Sequence, residues 1–149
     1  MNDRKHGRGC EILPDGAIYY GGFINGKPEG LGKFTWPNGE TYDGEWLTGL
    51  KHGQGMWKGV DEDTYMGEWK CGKADGYGVH VWVNGDKYEG QLKNCLKYGE
   101  GKEYFSNGDV YSGSYVNGKP EGYGEYNWAN KTHFRGLFKN GLRHGLGYW

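Results

Sequence analysis

The sequence is short of the side chains from which most soluble cores are packed. Hydrophobic residues fill 35% of its 149 positions, almost half of that share is aromatic (17%), and the mean hydropathy is −0.94. Too few aliphatic side chains remain for a conventional Leu/Ile/Val core. Proline is rare at 4 residues, and the 31 glycines follow no Gly-X-Y period, which excludes a collagen-like rod. A helical bundle is excluded as well, because glycine inside a helix costs about 1 kcal/mol relative to alanine. No apolar run is long enough for a membrane-spanning helix; the longest, Val79-His80-Val81-Trp82-Val83, is interrupted by a histidine.

An excess of positive charge is missing too. With 18 Lys/Arg against 19 Asp/Glu the net charge is −1, and the pI is near 6.5. There is no global field to draw the chain to nucleic acid, which is excluded as a partner, and little to draw it to acidic lipid. The cysteines Cys10, Cys71 and Cys95 form no CxxC and cannot all pair, as expected in a reducing compartment. The N-terminus lacks the apolar segment of a secretory signal. The expected location is the cytoplasm.

What is present is a repeat. Tyr or Phe recurs at 19, 42, 65, 88, 111 and 134, always 23 residues apart. Taking these positions as offset 0, offset 2 is glycine in every repeat, from Gly21 and Gly44 to Gly136. Offsets 11 and 13 are glycine throughout, as in Gly30/Gly32 and Gly53/Gly55, and Gly7 and Gly9 place the tail of an earlier repeat in front. Of the 31 glycines only Gly22 and Gly59 stand outside the register. The organisation read from this is a partial leading repeat over 1–18 and six repeats over 19–149, the last truncated, in one continuous domain.

Each repeat reads as a β-hairpin. Tyr42-Asp43-Gly44-Glu45-Trp46-Leu47 alternates apolar and polar, the period of a strand, and Gly53-Gln54-Gly55-Met56-Trp57 alternates again. Thr48-Gly49-Leu50-Lys51-His52 is expected as the turn between them, while Pro37-Asn38-Gly39 and Asn84-Gly85-Asp86 turn into the next repeat. Parity puts offsets 0, 2, 4, 11, 13, 15 and 17 on one face, which collects 19 of the 25 aromatics. The other face carries polar residues such as Lys33, Thr35, Asp43 and Glu45. Each ring is expected to lie over the glycines of a neighbouring strand. The fold class is therefore all-β, a single-layer antiparallel meander of consecutive 23-residue hairpins.

The pattern Tyr-x-Gly-x-Trp, then Gly, then Gly-x-Gly closely resembles the MORN repeat (membrane occupation and recognition nexus). Tyr42-Asp43-Gly44-Glu45-Trp46 through Gly53-Gln54-Gly55 shows it best, with Tyr65-Met66-Gly67-Glu68-Trp69 beside it. Leu92, Cys95, Gly59 and Glu62 depart from the pattern locally. The resemblance implies an elongated, twisted sheet and a protein-binding scaffold at cytoskeletal or membrane-associated structures. It also implies, as alternatives, a peripheral phospholipid-binding module or a regulatory, targeting segment of a larger enzyme such as a lipid kinase.

A second period runs through the first. Repeats one, three and five read Lys27-Pro28-Glu29, Lys73-Ala74-Asp75 and Lys119-Pro120-Glu121, whereas two, four and six read Leu50-Lys51-His52, Leu96-Lys97-Tyr98 and Leu142-Arg143-His144. Trp36, Trp82 and Trp128 keep the same 46-residue rhythm. Two readings are open: duplication with solvated turns, or a charge code along one edge for a partner or for self-association.

No catalytic constellation is present: the chain lacks a Walker A loop, GxGxxG, HExxH and GxSxG, so no enzyme activity and no cofactor are expected. Asp61-Glu62-Asp63 lacks EF-hand spacing and reads as a turn. His6, His52 and His144 stand two or four repeats apart, roughly 20 Å or more, too far to share a metal. The candidate protein-binding surface is the aromatic face, lined by Tyr42, Trp46, Tyr65, Trp69, Tyr88, Tyr111 and Tyr115, with edge contacts from Lys51, His52, Lys97, Arg143 and His144. A homodimer through the open sheet ends is a further expectation.

Overall fold

The computed structural model of the chain describes residues 7–148, and side chains as far as residue 143; His6, Trp149 and the side chain of His144 lie outside the described residues. The chain divides into two compact units, Met1–Lys73 and Ala74–Trp149. The first holds β1 (Gly7–Ile12), β2 (Ile18–Ile24), β3 (Lys27–Thr35), β4 (Thr41–Leu47), β5 (Leu50–Lys58) and β6 (Thr64–Lys70). The second holds β7 (Lys73–Val81), β8 (Lys87–Lys93), β9 (Leu96–Tyr104), β10 (Val110–Val116), β11 (Lys119–Asn127), β12 (His133–Lys139) and β13 (Leu142–Tyr148). Within each unit every strand pairs antiparallel with its neighbour in sequence. There is no helix among the described residues. The all-β hairpin meander expected from the 23-residue register is the architecture found.

One turn differs from expectation. The five residues 48–52 do not form a loop: Thr48 and Gly49 alone make the turn, and Leu50, Lys51 and His52 already belong to β5. Both turn residues are left-handed, Thr48 at φ 50° and Gly49 at φ 81°, which is the demand of the tight hairpin turn whose twist matches the flanking strands. The residues gained by β5 are absorbed by a register shift between Gly44 and Trp46, where Gly53 at φ 64° bulges. The same two-residue turn recurs at 25–26, 71–72, 94–95, 117–118 and 140–141. At 94–95 Cys95 holds the second position at φ 69° in place of glycine. The connections between repeats are closed by paired backbone bonds, such as Trp36 N–H to Glu40 O (2.9 Å) and Gly39 N–H to Trp36 O (3.0 Å). Asp61-Glu62-Asp63 lies in such a turn, between Gly59 and Asp63.

Neighbouring hairpins are also tied at their tips. Gly49 N–H donates to Pro28 O at 2.9 Å and Gly72 N–H to Lys51 O at 3.0 Å; Cys95, Gly118 and Gly141 repeat the bond to Ala74, Lys97 and Pro120. Stability is thereby built from contacts between adjacent repeats. The face away from the rings is less polar than expected. Besides Lys33, Asp43 and Glu45 it exposes Leu31 and the cross-strand pair Met56/Met66, and in the second unit Tyr77 and the pair Tyr123/Leu137.

In each unit the core is a row of rings over glycines. Gly44 faces Gly55 across β4–β5, and a Cβ on Gly55 would overlap the Tyr42 hydroxyl and ring. Gly32, Gly101 and Gly124 meet Tyr19, Tyr88 and Tyr111 in the same way. Gly55→Ala is expected to lower stability by about 1–3 kcal/mol through this overpacking, read as a drop in the urea midpoint. Gly9→Ala places its Cβ at an ordinary 3.7 Å from Phe23 and should stay within about 0.5 kcal/mol of the parent. Equal effects at both positions would show that the rings do not set the glycine requirement.

Candidate functional site

The seven rings singled out in the sequence come to lie on one face of their strands and are buried, none more than 8% exposed. Tyr42 shows why. Its hydroxyl donates to Glu45 O at 2.9 Å, which pins the ring flat across Gly44 and Gly55. Tyr19, Tyr65, Tyr88 and Tyr111 make the same bond to the residue three positions on, at 2.7–3.2 Å. The rings at offset 4 stand between these tyrosines. Trp46 meets Tyr42 edge-on at 5.0 Å and Tyr19 at 5.5 Å, and Trp69 meets Tyr65 at 5.1 Å and Tyr42 at 5.2 Å. In the second unit Tyr115 does this with Tyr88 and Tyr111, and Phe138 with Tyr111 and Phe134. Edge-to-face pairs contribute about 0.5–1.5 kcal/mol each beyond burial. The indole N–H groups are satisfied by strand carbonyls, Trp46 to Gly32 O and Trp69 to Gly55 O, both at 3.0 Å.

Burial of this inner row leaves little of it for a partner. What the same face presents outward is a second row, at offsets 15 and 17, half-buried in each case: Phe34, Trp36 and Trp57 in the first unit, Trp82, Phe105, Tyr126 and Trp128 in the second. Phe34 and Trp36 lie 4.5 Å apart, Tyr126 and Trp128 4.8 Å, and His80 stacks on Trp82 at 4.1 Å. Sequence reasoning counted these rings on the right face but did not separate the buried row from the accessible one. The separating signal is position: the offset-0 rings lie diagonally over a glycine pair and the offset-4 rings wedge between them, whereas offsets 15 and 17 run toward the inter-repeat turns.

The basic turn residues also reach onto this face. Lys51 Nζ lies over Trp36 (5.0 Å), Trp69 (5.2 Å) and Tyr42 (5.8 Å). Lys97 repeats the arrangement over Trp82, Tyr88 and Tyr115, and the Arg143 guanidinium lies over Trp128 and Phe134. Each cation follows its tryptophan by 15 residues, which accounts for the 46-residue rhythm of both. The acidic half of the alternation is structural as well. Glu29 accepts the Thr48 N–H at 3.1 Å, Asp75 the Asn94 N–H at 3.4 Å, and Glu121 the Asn140 N–H at 2.7 Å, each tying an odd repeat to the turn of the next. His52 is half-buried, its carbonyl 3.5 Å from the Tyr42 hydroxyl.

At the turn end of the second unit Asp109 is the buried acid among the described residues. It accepts the Tyr126 hydroxyl at 2.7 Å and the Ala129 N–H at 2.8 Å. The Tyr126 hydroxyl bond above all, and then the Ala129 N–H, hold its carboxyl below the ordinary value. Burial, reinforced by the Asp109 carboxylate, pushes Tyr126 up to about 12. Burial with the nearby charges of Glu100 and Glu103 pushes Tyr111 up to about 12. Above pH 10.0 an unfolded chain releases phenolic protons that folded Tyr111 and Tyr126 retain, so stability present below 10.0 is lost as pH rises through about 12. Tyr111→Phe should make that alkaline decline shallower in urea midpoints compared on either side of pH 10.0. The acid limb has the opposite sign. The contribution of Asp109 is complete above 3.8 and lost as pH falls through its lowered value, so Asp109→Asn should flatten the acid decline. An unchanged slope in both variants would overturn these assignments.

Comparison with known proteins places the geometry. The family model described as the MORN repeat matches residues 1–18, 19–41, 42–64, 65–87, 88–110, 111–133 and 134–148. No curated protein matches the chain. Among solved structures it is similar in fold to the TCP domain of SAS-4 (dCPAP) of Drosophila melanogaster, in complex with a proline-rich motif of Ana2 (dSTIL). That likeness has a TM-score of 0.50 at 12% identity over 87% of this chain and 77% of the other. With seven matched repeats over a meander of ring-on-glycine hairpins, the chain belongs to the MORN-repeat family.

Proposed function

We propose that the chain is a non-enzymatic scaffold that binds protein partners across the ring-bearing face of its repeats, at cytoskeletal or membrane-associated structures of the cytoplasm. The observation that carries this reading is the second row of half-buried rings set beside the buried first row. A domain that only needed to fold is complete with the inner row. The outer row adds aromatic surface that water touches, the kind of surface that supplies binding hot spots. Tyr42, Trp46, Tyr65, Trp69, Tyr88, Tyr111 and Tyr115 then act as the rigid floor that holds the outer rings in place. Membership of an interaction-repeat family supports the reading, as does the fold likeness to a domain solved with a bound motif. Self-association of two copies through the same face or the sheet ends belongs to this proposal.

A second reading has its own observation. Each unit exposes lysines near its hairpin tips, Lys27, Lys70 and Lys73 in the first and Lys93, Lys119 and Lys139 in the second, which suit acidic phospholipid head groups. The two readings separate by experiment. A Trp36→Ala/Trp57→Ala variant should recover at least tenfold less protein partner in pull-down, as expected for loss of one or two hot spots of about 2 kcal/mol. Its circular dichroism should match the parent. Full recovery with the fold intact would remove the protein-face reading. Lys93→Glu/Lys119→Glu should abolish pelleting with acidic vesicles at physiological salt if lipid is the ligand, and leave partner recovery unchanged if it is not.

A further inference from the structure

In the first unit the outer rings border a strongly acidic margin. The turns at 13–17, 36–40 and 59–63, which join β1 to β2, β3 to β4 and β5 to β6, carry Asp15, Glu40, Asp61, Glu62 and Asp63 and no Lys or Arg. Lys58 stands beside them and reaches Glu62 only at 3.9 Å, with both groups largely exposed. Trp57 is oriented by this margin, its indole N–H donating to Glu40 Oε2 at 3.1 Å. On the inward side Lys51 covers Trp36 from the direction of Tyr42 and Trp69. The accessible surface is thus a strip between a cation and a row of carboxylates. It is about two strand residues wide, roughly 7 Å.

Charge and spacing together select what fits there. Successive turns are two strands apart, about 10 Å, and a polyproline II segment advances about 9.3 Å per three-residue turn. Residues three apart can therefore sit on Trp36 and on Trp57, the rings of two successive repeats, while another faces the carboxylates. An α-helix is about 10–12 Å across and would have to lie over Lys51, which repels a basic occupant. We infer that the occupant of this strip is a basic, proline-rich segment in the polyproline II conformation. Its prolines pack on Trp36 and Trp57, and its Lys or Arg side chains face Glu40 and the 61–63 turn. The inference rests on the protein-face reading and names its partner in the first unit.

The test is a titration of the full chain, followed through its indole N–H resonances, with a Pro-Pro-Lys repeat peptide of about four turns. The Trp36 and Trp57 signals should move, while those of Trp46 and Trp69, bonded to Gly32 O and Gly55 O, should stay. Gly-Gly-Lys, Pro-Pro-Glu and helical Lys/Ala peptides of equal length should bind at least tenfold more weakly. Asp61→Lys/Glu62→Lys, an exposed pair, should weaken the basic peptide about tenfold at low salt, in line with a few exposed ion pairs. Lysine is accommodated in that backbone: Lys131 holds the equivalent position of a later repeat at φ 73°, against 71° for Glu62. Equal binding of Gly-Gly-Lys or of the helical peptide overturns the conformation, and equal binding of Pro-Pro-Glu overturns the charge. If no peptide moves Trp36 or Trp57, yet Trp36→Ala/Trp57→Ala still loses its partner in pull-down, the occupant is wrong and the face stands. If that variant keeps its partner, both fall.

Discussion

A tyrosine lying flat across two glycines that face each other on adjacent strands is the contact on which the rest of this protein depends. The ring needs both glycines, because a Cβ on either would enter the space of the ring or of the facing backbone. The glycines need the ring, since without it two strands would expose bare backbone on that face. The hydroxyl closes the arrangement by bonding the carbonyl three residues on, where the strand breaks register. A single 23-residue unit cannot complete this contact by itself, because the offset-4 ring of the next repeat packs against the same tyrosine. Repetition is therefore a packing requirement, and the chain has no central core in the usual sense.

From that constraint comes the division of the aromatic face into two rows. A one-layer sheet buries what lies directly over its glycines and leaves the rest partly wet. Rings at offsets 0 and 4 fall in the first category and rings at 15 and 17 in the second. Cation–π contacts by Lys51, Lys97 and Arg143 cover part of the second row. The carboxylates of Glu29, Asp75 and Glu121 are drawn into turn-to-turn hydrogen bonds. Of the two readings of the 46-residue alternation, the structure thus gives it a physical basis within the chain: a tryptophan and its cation on neighbouring repeats, and an acid and the turn that it caps.

The hairpin meander and the facing of rings to glycines were legible because they rest on parity and on a fixed period, and both survive in a bare sequence. The turn at Thr48-Gly49 was less so. A five-residue span with one glycine admits a loop, and only the bulge at Gly53 shows why two residues suffice. The site was legible as a face and not as a surface. Tyr42 and Trp36 are both large, aromatic and on the same side. Which of them water reaches depends on what the ring lies over, a glycine pair on two strands for Tyr42, a relation that the alternation of one strand does not carry.

The fourth repeat, which departs from the ring pattern at offset 15, shows how tightly the parts are coupled. At offset 15, where repeats one, two, three and five carry Phe34, Trp57, His80 and Tyr126, the fourth repeat has Glu103. Its carboxylate accepts the Tyr115 hydroxyl at 2.8 Å and the Lys97 ammonium at 3.1 Å, in a setting only 14% exposed. Tyr115 occupies the position that Trp46 and Trp69 fill in the first unit, but where their indole N–H groups bond strand carbonyls its hydroxyl bonds a side chain. A buried hydroxyl needs a partner, and Glu103 supplies it. A half-buried carboxylate in turn is favoured by a cation beside it, which Lys97 supplies while keeping its place over Trp82. Burial and the Glu103 charge together hold the Tyr115 phenol well above its ordinary range, so the proton stays on the donor. Two departures, Tyr115 and Glu103, and the regular cation Lys97 form one hydrogen-bonded set, and removing Glu103 alone would take a partner from both of the others.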